Sequence, residues 1–309
     1  MNTLRPGPAH ALLHFTVFIW GFTAILGRVI SVPAVPIVWY RVAIVVVVMS
    51  GIIAWRKAGF LAPRRTVVAC LGIGVLVALH WLCFYGCIKY SGIAVSVLCL
   101  SSVTFFTALI EPIVFRRAPV IAELVIGGAV VAGVALLVKV ETNTNLLGLS
   151  LGLGSALFSA GFGTLNGRMA RSERAERITL YEQLSAFVVT SAFFFVWPED
   201  FVAPLSLGRT DALLLLLLGV GCTVLPWLWS LRVLKTLSPY TVALAVTLEP
   251  VYSMAMAWFL FPESEQLTWR FYLGAALLVA LVVANAWLKR PRATPAGALA
   301  TGPSVTPKN

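Results

Sequence analysis

The chain has 309 residues, of which 60% are hydrophobic and only 11% are charged, and its mean hydropathy of +0.93 excludes an ordinary soluble domain. A net charge of +11 would suggest nucleic-acid binding in a soluble protein. Here the basic residues lie at the ends of apolar segments, which is typical of a membrane protein and argues against a nucleic-acid partner.

Apolar segments follow one another along the chain, each close to the ~20 residues that cross a bilayer core as a helix. In chain order we predict ten of them, at 10–30, 36–55, 66–88, 93–115, 119–140, 146–168, 178–197, 211–233, 240–261 and 268–288. No small-x-small cleavage site follows the first segment, so we expect a retained helix rather than a signal peptide. Residues 289–309 are polar and are predicted to be a disordered cytoplasmic tail.

The second half of the chain repeats the first. Five positions of the first segment recur 140 residues later, and five later positions recur at an offset of 147. The matched pairs are Phe18/Phe158, Gly21/Gly161, Phe22/Phe162, Gly27/Gly167, Arg28/Arg168, Ser91/Ser238, Val95/Val242, Ala108/Ala255, Gly127/Gly274 and Ala129/Ala276. Each copy, 10–140 and 146–288, contains five segments, and five is odd, so the second copy must cross in the opposite sense. The predicted fold is an all-α integral membrane protein whose ten transmembrane helices form two inverted five-helix repeats, an architecture of secondary transporters.

The distribution of basic residues predicts the orientation. With the N-terminus in the cytoplasm, seventeen of the 23 Lys and Arg residues lie on the cytoplasmic side and six on the outer side. The positive-inside rule therefore predicts a multi-pass protein of the cytoplasmic (inner) membrane with both termini in the cytoplasm.

Ionisable residues within apolar segments are costly, and by default they indicate function. Glu249 lies near the middle of its segment, where it could exchange protons, bind a cationic group or bond to a neighbouring helix. Glu111, Glu182 and Arg41 lie nearer the segment ends and are candidates for ion coupling or for interfacial ion pairs, Glu111 with Arg116 or Arg117. Three prolines, Pro112, Pro226 and Pro250, each free a backbone carbonyl group, and they can act as hinges or only shape the helices.

One helix carries a pattern of histidine and cysteine residues that could form a metal site, but buried packing is the stronger interpretation. His80, Cys83 and Cys87 share a helix face and could bind a soft metal. No fourth ligand accompanies them, and buried cysteine commonly behaves as a small hydrophobic residue. We expect neither a metal nor a cofactor.

Several motifs together resemble a known family. They are Phe18-Ile19-Trp20-Gly21, Trp39-Tyr40-Arg41, Ala78-Leu79-His80-Trp81, Phe105 to Pro112, Tyr181-Glu182, Thr247-Leu248-Glu249-Pro250-Val251-Tyr252 and Glu263-Ser264-Glu265. Over residues 10–288 the chain resembles the drug/metabolite transporter superfamily, in particular its EamA-type ten-helix permeases.

The resemblance implies a central cavity between the repeats, lined by the first, third and fourth helices of each half, with the fifth and tenth helices peripheral. Mapped onto this chain, the substrate-binding residues would include Trp20, His80, Trp81, Tyr85, Ser102, Asn166, Trp227, Glu249 and Tyr252. The expected function is secondary active transport, mostly export, of a small organic solute such as an amino acid, metabolite or drug. Protons are the candidate coupling ion.

Two other classes remain as alternatives. An intramembrane enzyme acting on a lipid or small molecule would need a phosphate-binding glycine loop, a His-Glu-x-x-His pair or a serine elbow, and the sequence has none of these in a suitable context. A channel would want rings of like charge from identical subunits. The sequence leaves the solute, the direction of transport and the oligomeric state open.

Overall fold

The computed structural model describes residues 4–141, 145–201, 206–260 and six positions between 273 and 280, and for 134–141 it describes the backbone. Helices alone make up the regular structure of this part of the chain. The helices are α1 Pro6–Val29, α2 Ala34–Trp55, α3 Arg64–Ser101, α4 Val103–Phe115, α5 Ile121–Glu141, α6 Leu146–Met169, α7 Ala175–Phe193, α8 Arg209–Leu216, α9 Leu225–Val233, α10 Pro239–Val246 and α11 Glu249–Leu260. A short 3₁₀ turn, Pro198–Asp200, follows α7, and a π-helical segment, Leu217–Val224, joins α8 to α9.

Local sequence explains where several helices begin. Pro6 and Pro239 occupy the first turn of α1 and α10, where a missing N–H costs nothing. The Ser238 hydroxyl group caps α10 by accepting a hydrogen bond from the Thr241 amide, and the Asn145 side chain caps α6 through the Leu147 amide.

Six helical runs in the described residues are long and apolar enough to cross a membrane: Pro6–Val29, Ala34–Trp55, Arg64–Phe115, Leu146–Met169, Arg209–Val233 and Pro239–Leu260. A shorter apolar helix spans Ile121–Gly133. Helix α7 contains most of the predicted segment 178–197 but ends at Phe193, and it is more polar than the six runs because it carries Glu176, Arg177, Glu182 and Gln183. The predicted segment 268–288 lies outside the described residues apart from six positions, and the predicted tail 289–309 lies wholly outside them.

The longest run contains two of the predicted segments. Its 52 residues would extend about 78 Å at 1.5 Å per residue, far more than the ~30 Å bilayer core. The run folds back at Gly92, whose φ of 82° is a conformation that favours glycine. Ser96 then donates a hydrogen bond to the Phe84 carbonyl group, twelve residues earlier, so 66–88 and 93–115 form a helical hairpin.

Contacts between helix ends define two opposite faces. On one face Arg56 pairs with Glu176 at 3.3 Å, and the Thr236 hydroxyl group bonds to the Leu4 carbonyl group near the N-terminus. On the other face the Ser31 amide bonds to Asp211 at 2.9 Å, and Lys89 bonds to the Ile30 carbonyl group at 2.7 Å.

The two halves share one hydrophobic core. Helix α3 packs on α6 and α7, and α1 packs on α11, so helices of the first half contact helices of the second. Buried residues of both halves, such as Ile37, Trp81, Ile178 and Trp227, belong to the same cluster. The cavity described below lies within this shared core.

Candidate functional site: a cavity between the two halves

A cavity of about 90 Å³ lies between the helices of the two halves. Since one water molecule needs roughly 10–15 Å³ on this measure, the cavity accommodates several waters or one small organic solute. Its walls are formed by Trp20, Thr23, Arg41, His80, Trp81, Phe84, Leu100, Val103, Thr107, Ser159, Phe162, Gly163, Trp227, Leu234, Pro239, Val242, Ala243, Val246 and Glu249.

A continuous row of rings forms one wall. The ring centroids of Trp81 and Trp227 are 5.4 Å apart, those of Trp227 and Phe162 are 5.3 Å apart, and those of Phe162 and His80 are also 5.3 Å apart. The His80 Nδ1 atom lies 2.9 Å from both the carbonyl and the hydroxyl oxygen of Ser155. This anchoring fixes the ring, and the row as a whole offers large apolar faces to a bound solute.

Arg41 brings a positive charge to the cavity. Its side chain is only 2% exposed. The Nε atom donates to Thr223 Oγ1 at 2.7 Å, Nη1 donates to the Tyr85 hydroxyl group at 2.9 Å, and the guanidinium carbon lies 3.9 Å from the centroid of the Trp81 ring. Thr223 belongs to the π-helical segment, and its hydroxyl group in turn donates a hydrogen bond to the Leu218 carbonyl group, five residues earlier.

Glu249 brings an acid to the same cavity. It is the first residue of α11 and follows a break in the helix at Thr247 and Leu248. It is 3% exposed, and the positive charge of Arg41 acts on it electrostatically. No basic side chain of the described residues lies within 4 Å of its carboxyl group, so Glu249 is available to a proton or to a cationic part of a solute.

A second buried acid lies behind the ring wall. Glu182 is 0% exposed, and its Oε2 atom accepts hydrogen bonds from the Trp227 indole at 3.1 Å and from the Asn166 amide at 3.3 Å. Its Oε1 atom has no hydrogen-bond partner among the described residues. The sequence makes Glu182 a candidate for ion coupling or for an interfacial ion pair, and α7 places its carboxyl group inward, between Asn166 of α6 and Trp227 of α9.

Comparison with known proteins now identifies the scaffold. The model of the EamA-like transporter family matches residues 8–139 and again residues 146–286. The chain belongs to this family. No curated protein matches it. A solved structure described as "Crystal structure of protein" shares its fold, with a TM-score of 0.70, 16% sequence identity, and coverage of 90% of this chain and 96% of the other.

The two consecutive matches confirm the drug/metabolite transporter resemblance and the two-repeat organisation. As an EamA-like protein with several helices able to cross a membrane, the chain is an integral membrane protein of a transporter family. EamA-like proteins are transporters and not enzymes, which is compatible with the expected non-enzymatic role.

The residues predicted from the EamA resemblance divide into two groups. Five of them line the cavity: Trp20, His80, Trp81, Trp227 and Glu249. The other four, Tyr85, Ser102, Asn166 and Tyr252, are not among its lining residues.

Each of those four packs behind the cavity wall or away from it. Tyr85 is fully buried and bonds to Arg41 from behind. Asn166 lies behind Trp227, and both donate hydrogen bonds to the Glu182 carboxyl group. Ser102 sits buried in the break between α3 and α4. The Tyr252 ring packs on Phe18 of α1, with centroids 5.7 Å apart.

Glu111 does not line the cavity, and it pairs with one of its two expected partners. Its Oε1 atom is 3.3 Å from Arg117, and Arg117 also pairs with Glu123 at 2.9 Å. The Oε2 atom of Glu111 accepts a hydrogen bond from the Tyr240 amide at 2.7 Å, at the first turn of α10. A carboxylate at a helix N-terminus stabilises that helix, so Glu111 joins α4 to α10 rather than lining the cavity.

Sequence reasoning missed most of the apolar wall, including Phe162 and Thr107. The repeat contained an unused signal, because Thr23 and Gly163 are separated by the offset of 140 and both line the cavity. His80 and Trp227 are likewise separated by the offset of 147 and face the same space. Cys83 and Cys87 do not line the cavity with His80. The described residues contain no group of three metal-binding side chains.

Proposed function

We propose that this protein is a secondary active transporter that exports a small organic solute, such as an amino acid, a metabolite or a drug, across the cytoplasmic membrane. The observation that carries the proposal is the cavity in the shared core, with walls from both EamA-like repeats and with buried Arg41 and Glu249 exposed to its interior. Ionisable groups inside a membrane bundle mark a solute or ion pathway, and substrate sites of secondary transporters lie between the repeats. Export is the direction implied by the resemblance to this family.

The proposed topology has ten membrane-crossing helices, divided into inverted repeats at 10–140 and 146–288 and followed by a cytoplasmic tail at 289–309. Contacts at the helix ends support the inversion. The start of α1 meets the α9–α10 connection through Leu4 and Thr236, whereas the start of α6 at Gly148 packs against Ser91, beside the Gly92 turn. These contacts are the ones expected if the two repeats begin at opposite membrane faces, as the proposed inversion requires.

The proposed orientation places both termini in the cytoplasm. It is supported by the excess of basic residues at the face that contains Arg56, Arg174, Arg232 and Lys235, which surround one surface pocket. The opposite face contains Lys89 together with the acidic residue Asp211.

Protons are the proposed coupling ion, and Glu249 is the proposed carrier. Three features support this role: the carboxyl group lines the cavity, it has no basic partner within 4 Å in the described part of the chain, and it follows a break in the helix path at Thr247 and Leu248. Proton binding at Glu249 would change the charge of the cavity by one unit.

The test is transport in proteoliposomes. Purified protein is first screened by thermal unfolding against amino acids, nucleobases and cationic toxins, and each stabilising solute is then offered as a radiolabelled substrate with and without a pH gradient. The proposal predicts saturable flux of a solute that emerges chemically unchanged. Conversion of the solute into a product would indicate the intramembrane enzyme instead, and non-saturable flux would indicate a channel.

A further inference from the structure

Arg41 is a buried cation whose bonding partners within the protein are neutral. Its Nε and Nη1 atoms donate to the hydroxyl groups of Thr223 and Tyr85, and its flat face covers the Trp81 ring. A guanidinium group carries five N–H donors, and these two bonds use two of them. No carboxylate of the described residues lies within 4 Å of Arg41, so its charge is not neutralised by direct contact.

Arg41 is held in place as a binding group would be. Thr223 and Tyr85 fix two donors, and Trp81 fixes the plane of the group, while the side chain remains on the cavity wall. The three remaining N–H groups have no hydrogen-bond partner among the described residues. Removing a cation from water is costly unless an anion accompanies it, and here the cavity is the space from which an anion can approach.

We propose that Arg41 binds the carboxylate group of the transported solute. This inference rests on the proposed transport function and adds the substrate class to it. A guanidinium group binds a carboxylate through two parallel hydrogen bonds, and it is the side chain best suited to planar oxyanions.

The charge and size of the cavity favour a small monoanion. Among the described residues of the cavity wall, Arg41 is the one Lys or Arg residue and Glu249 is the one acid. Arg41 can compensate one negative charge of the solute when Glu249 carries a proton or faces a cationic group of that solute, so a doubly charged phosphate would leave a negative charge uncompensated. The volume of about 90 Å³ is roughly that of six to nine water molecules at ~10–15 Å³ each. The solute therefore combines one carboxylate with a short apolar or aromatic body that contacts the ring wall.

Two sources supply such a group. One is a simple carboxylic acid, which is a monoanion at neutral pH. The other is a zwitterion such as an α-amino acid, whose ammonium group would face Glu249. They share the carboxylate and differ only in whether Glu249 takes part in binding.

The experiment uses the full-length protein in lipid nanodiscs and measures dissociation constants by calorimetry. The probes are two matched sets: L-valine, 3-methylbutanoate, 3-methylbutanamide and 2-methylpropylamine, and L-phenylalanine, 3-phenylpropanoate, 3-phenylpropanamide and 2-phenylethylamine. Within a set, the inference predicts that a carboxylate binds at least about tenfold more tightly than its uncharged amide, because the amide cannot accept a charge-assisted bidentate pair. This comparison uses the wild-type protein and does not depend on how variants fold.

Two variants then assign the effect to Arg41. Arg41→Lys keeps the positive charge but loses the paired N–H donors of the guanidinium group. This variant should weaken carboxylate binding while leaving amide binding unchanged. Arg41→Gln should remove the preference for the carboxylate altogether. In the same measurements Glu249→Gln separates the two sources. If the solute is a zwitterion, this variant binds the amino acid more weakly than the wild type does, while its binding of 3-phenylpropanoate is unaffected. Weakened and unchanged binding of the amino acid are both compatible with the carboxylate site.

Three outcomes would overturn the inference: equal binding of a carboxylate and its amide, binding of the amines alone, or no binding of any carboxylate by folded protein. In that case, flux of a nucleobase or a cationic toxin in the proteoliposome assay would still support transport, although the carboxylate site would be rejected. If carboxylates bind but no solute shows saturable flux, the transport proposal would be contradicted and the carboxylate-binding site would stand.

Discussion

Trp227 joins two parts of the molecule that the sequence presents as unrelated. Its ring packs between Trp81 and Phe162 on the cavity wall, and its indole N–H donates to Glu182, behind the wall, at 3.1 Å. A solute that displaces this ring would also disturb the buried carboxyl group. At the scale of single residues, the site thus contains two ionisable groups on the cavity wall, Arg41 and Glu249, and a third one, Glu182, one side chain behind it.

Replacing Trp227 with phenylalanine tests this link. The variant keeps an aromatic ring in the wall but removes a hydrogen bond from a fully buried carboxyl group. We expect a loss of about 1–3 kcal/mol in the free energy of unfolding, because an unsatisfied buried polar atom is costly. Thermal unfolding in detergent measures it, with Trp55→Phe at an 80% exposed position as the control. Equal unfolding temperatures for both variants would show that the bond contributes nothing.

Glu249→Gln tests proton coupling at the same scale. Glutamine has the same size but cannot release a proton, so we expect flux driven by a pH gradient to fall to the background level while the protein remains folded and inserted. Flux is measured in proteoliposomes with an imposed pH gradient, and insertion is checked by quantifying the reconstituted protein. Wild-type flux with an unchanged pH dependence would make Glu249 a structural residue.

The EamA resemblance, together with the position of Glu249 near the middle of its segment, indicated part of the cavity wall. Trp20, His80, Trp81, Trp227 and Glu249 stand out in sequence because polar and aromatic side chains are unusual in the middle of apolar segments, and all five line the cavity. Phe162 and Thr107 do not stand out, since only the rotation of a helix about its axis decides whether such residues face a cavity or a neighbour. For the same reason Tyr85 and Asn166 could not be assigned to the layer behind the wall.

At the scale of elements, interruptions in the helices position the functional groups. The π-helical segment Leu217–Val224 orients Thr223 toward Arg41, and the break between α10 and α11 sets Glu249 at the start of a helix. The corresponding break in the first half lies at Ser102, which is 147 residues before Glu249. The sequence indicated these irregular points only through its prolines, because π turns and one-residue breaks have no strong compositional signal.

Glu111→Gln tests how such elements are held together. Glu111 joins α4 to the first turn of α10 through the Tyr240 amide and pairs with Arg117. Loss of its charge should destabilise the protein by about 1.5–3 kcal/mol, as for hydrogen bonds to charged groups. We expect a lower thermal unfolding temperature and lower expression, with flux per folded molecule near the wild-type value. A normal unfolding temperature combined with lost flux would instead place Glu111 in the transport pathway.

At the scale of the whole molecule, the repeat organises the fold more than the individual motifs do. The sequence predicted helical segments and a duplication, and the family match over 8–139 and 146–286 has the same division. The shared core could not be predicted, because which helix of one half contacts which helix of the other depends on side-chain packing across many residues. The packing of α1 on α11 and of α3 on α6 is information that only the three-dimensional structure provides.

The inversion of the two repeats predicts the accessibility of Arg28 and Arg168. These repeat mates lie near the ends of α1 and α6, and opposite insertion of the repeats would place them at opposite membrane faces. A membrane-impermeant thiol reagent should label cysteine at position 28 in intact cells and cysteine at position 168 only after permeabilisation. Equal labelling of both from outside would rule out the inverted arrangement.

The central claim is that solute passes through the cavity between the repeats, and a cysteine at Gly163 tests it most directly. Gly163 lines the cavity, and an added Cβ atom there meets no other atom within 4 Å. Gly7, which has equally open surroundings and is exposed near the start of α1, provides the matched control.

Both cysteine variants are treated in proteoliposomes with a small thiol reagent, with and without saturating solute, and modification is quantified by mass spectrometry. We predict that modification abolishes flux by the Gly163→Cys protein, that bound solute protects it, and that the modified Gly7→Cys protein retains its flux. Complete modification at position 163 with undiminished flux would contradict transport through this cavity.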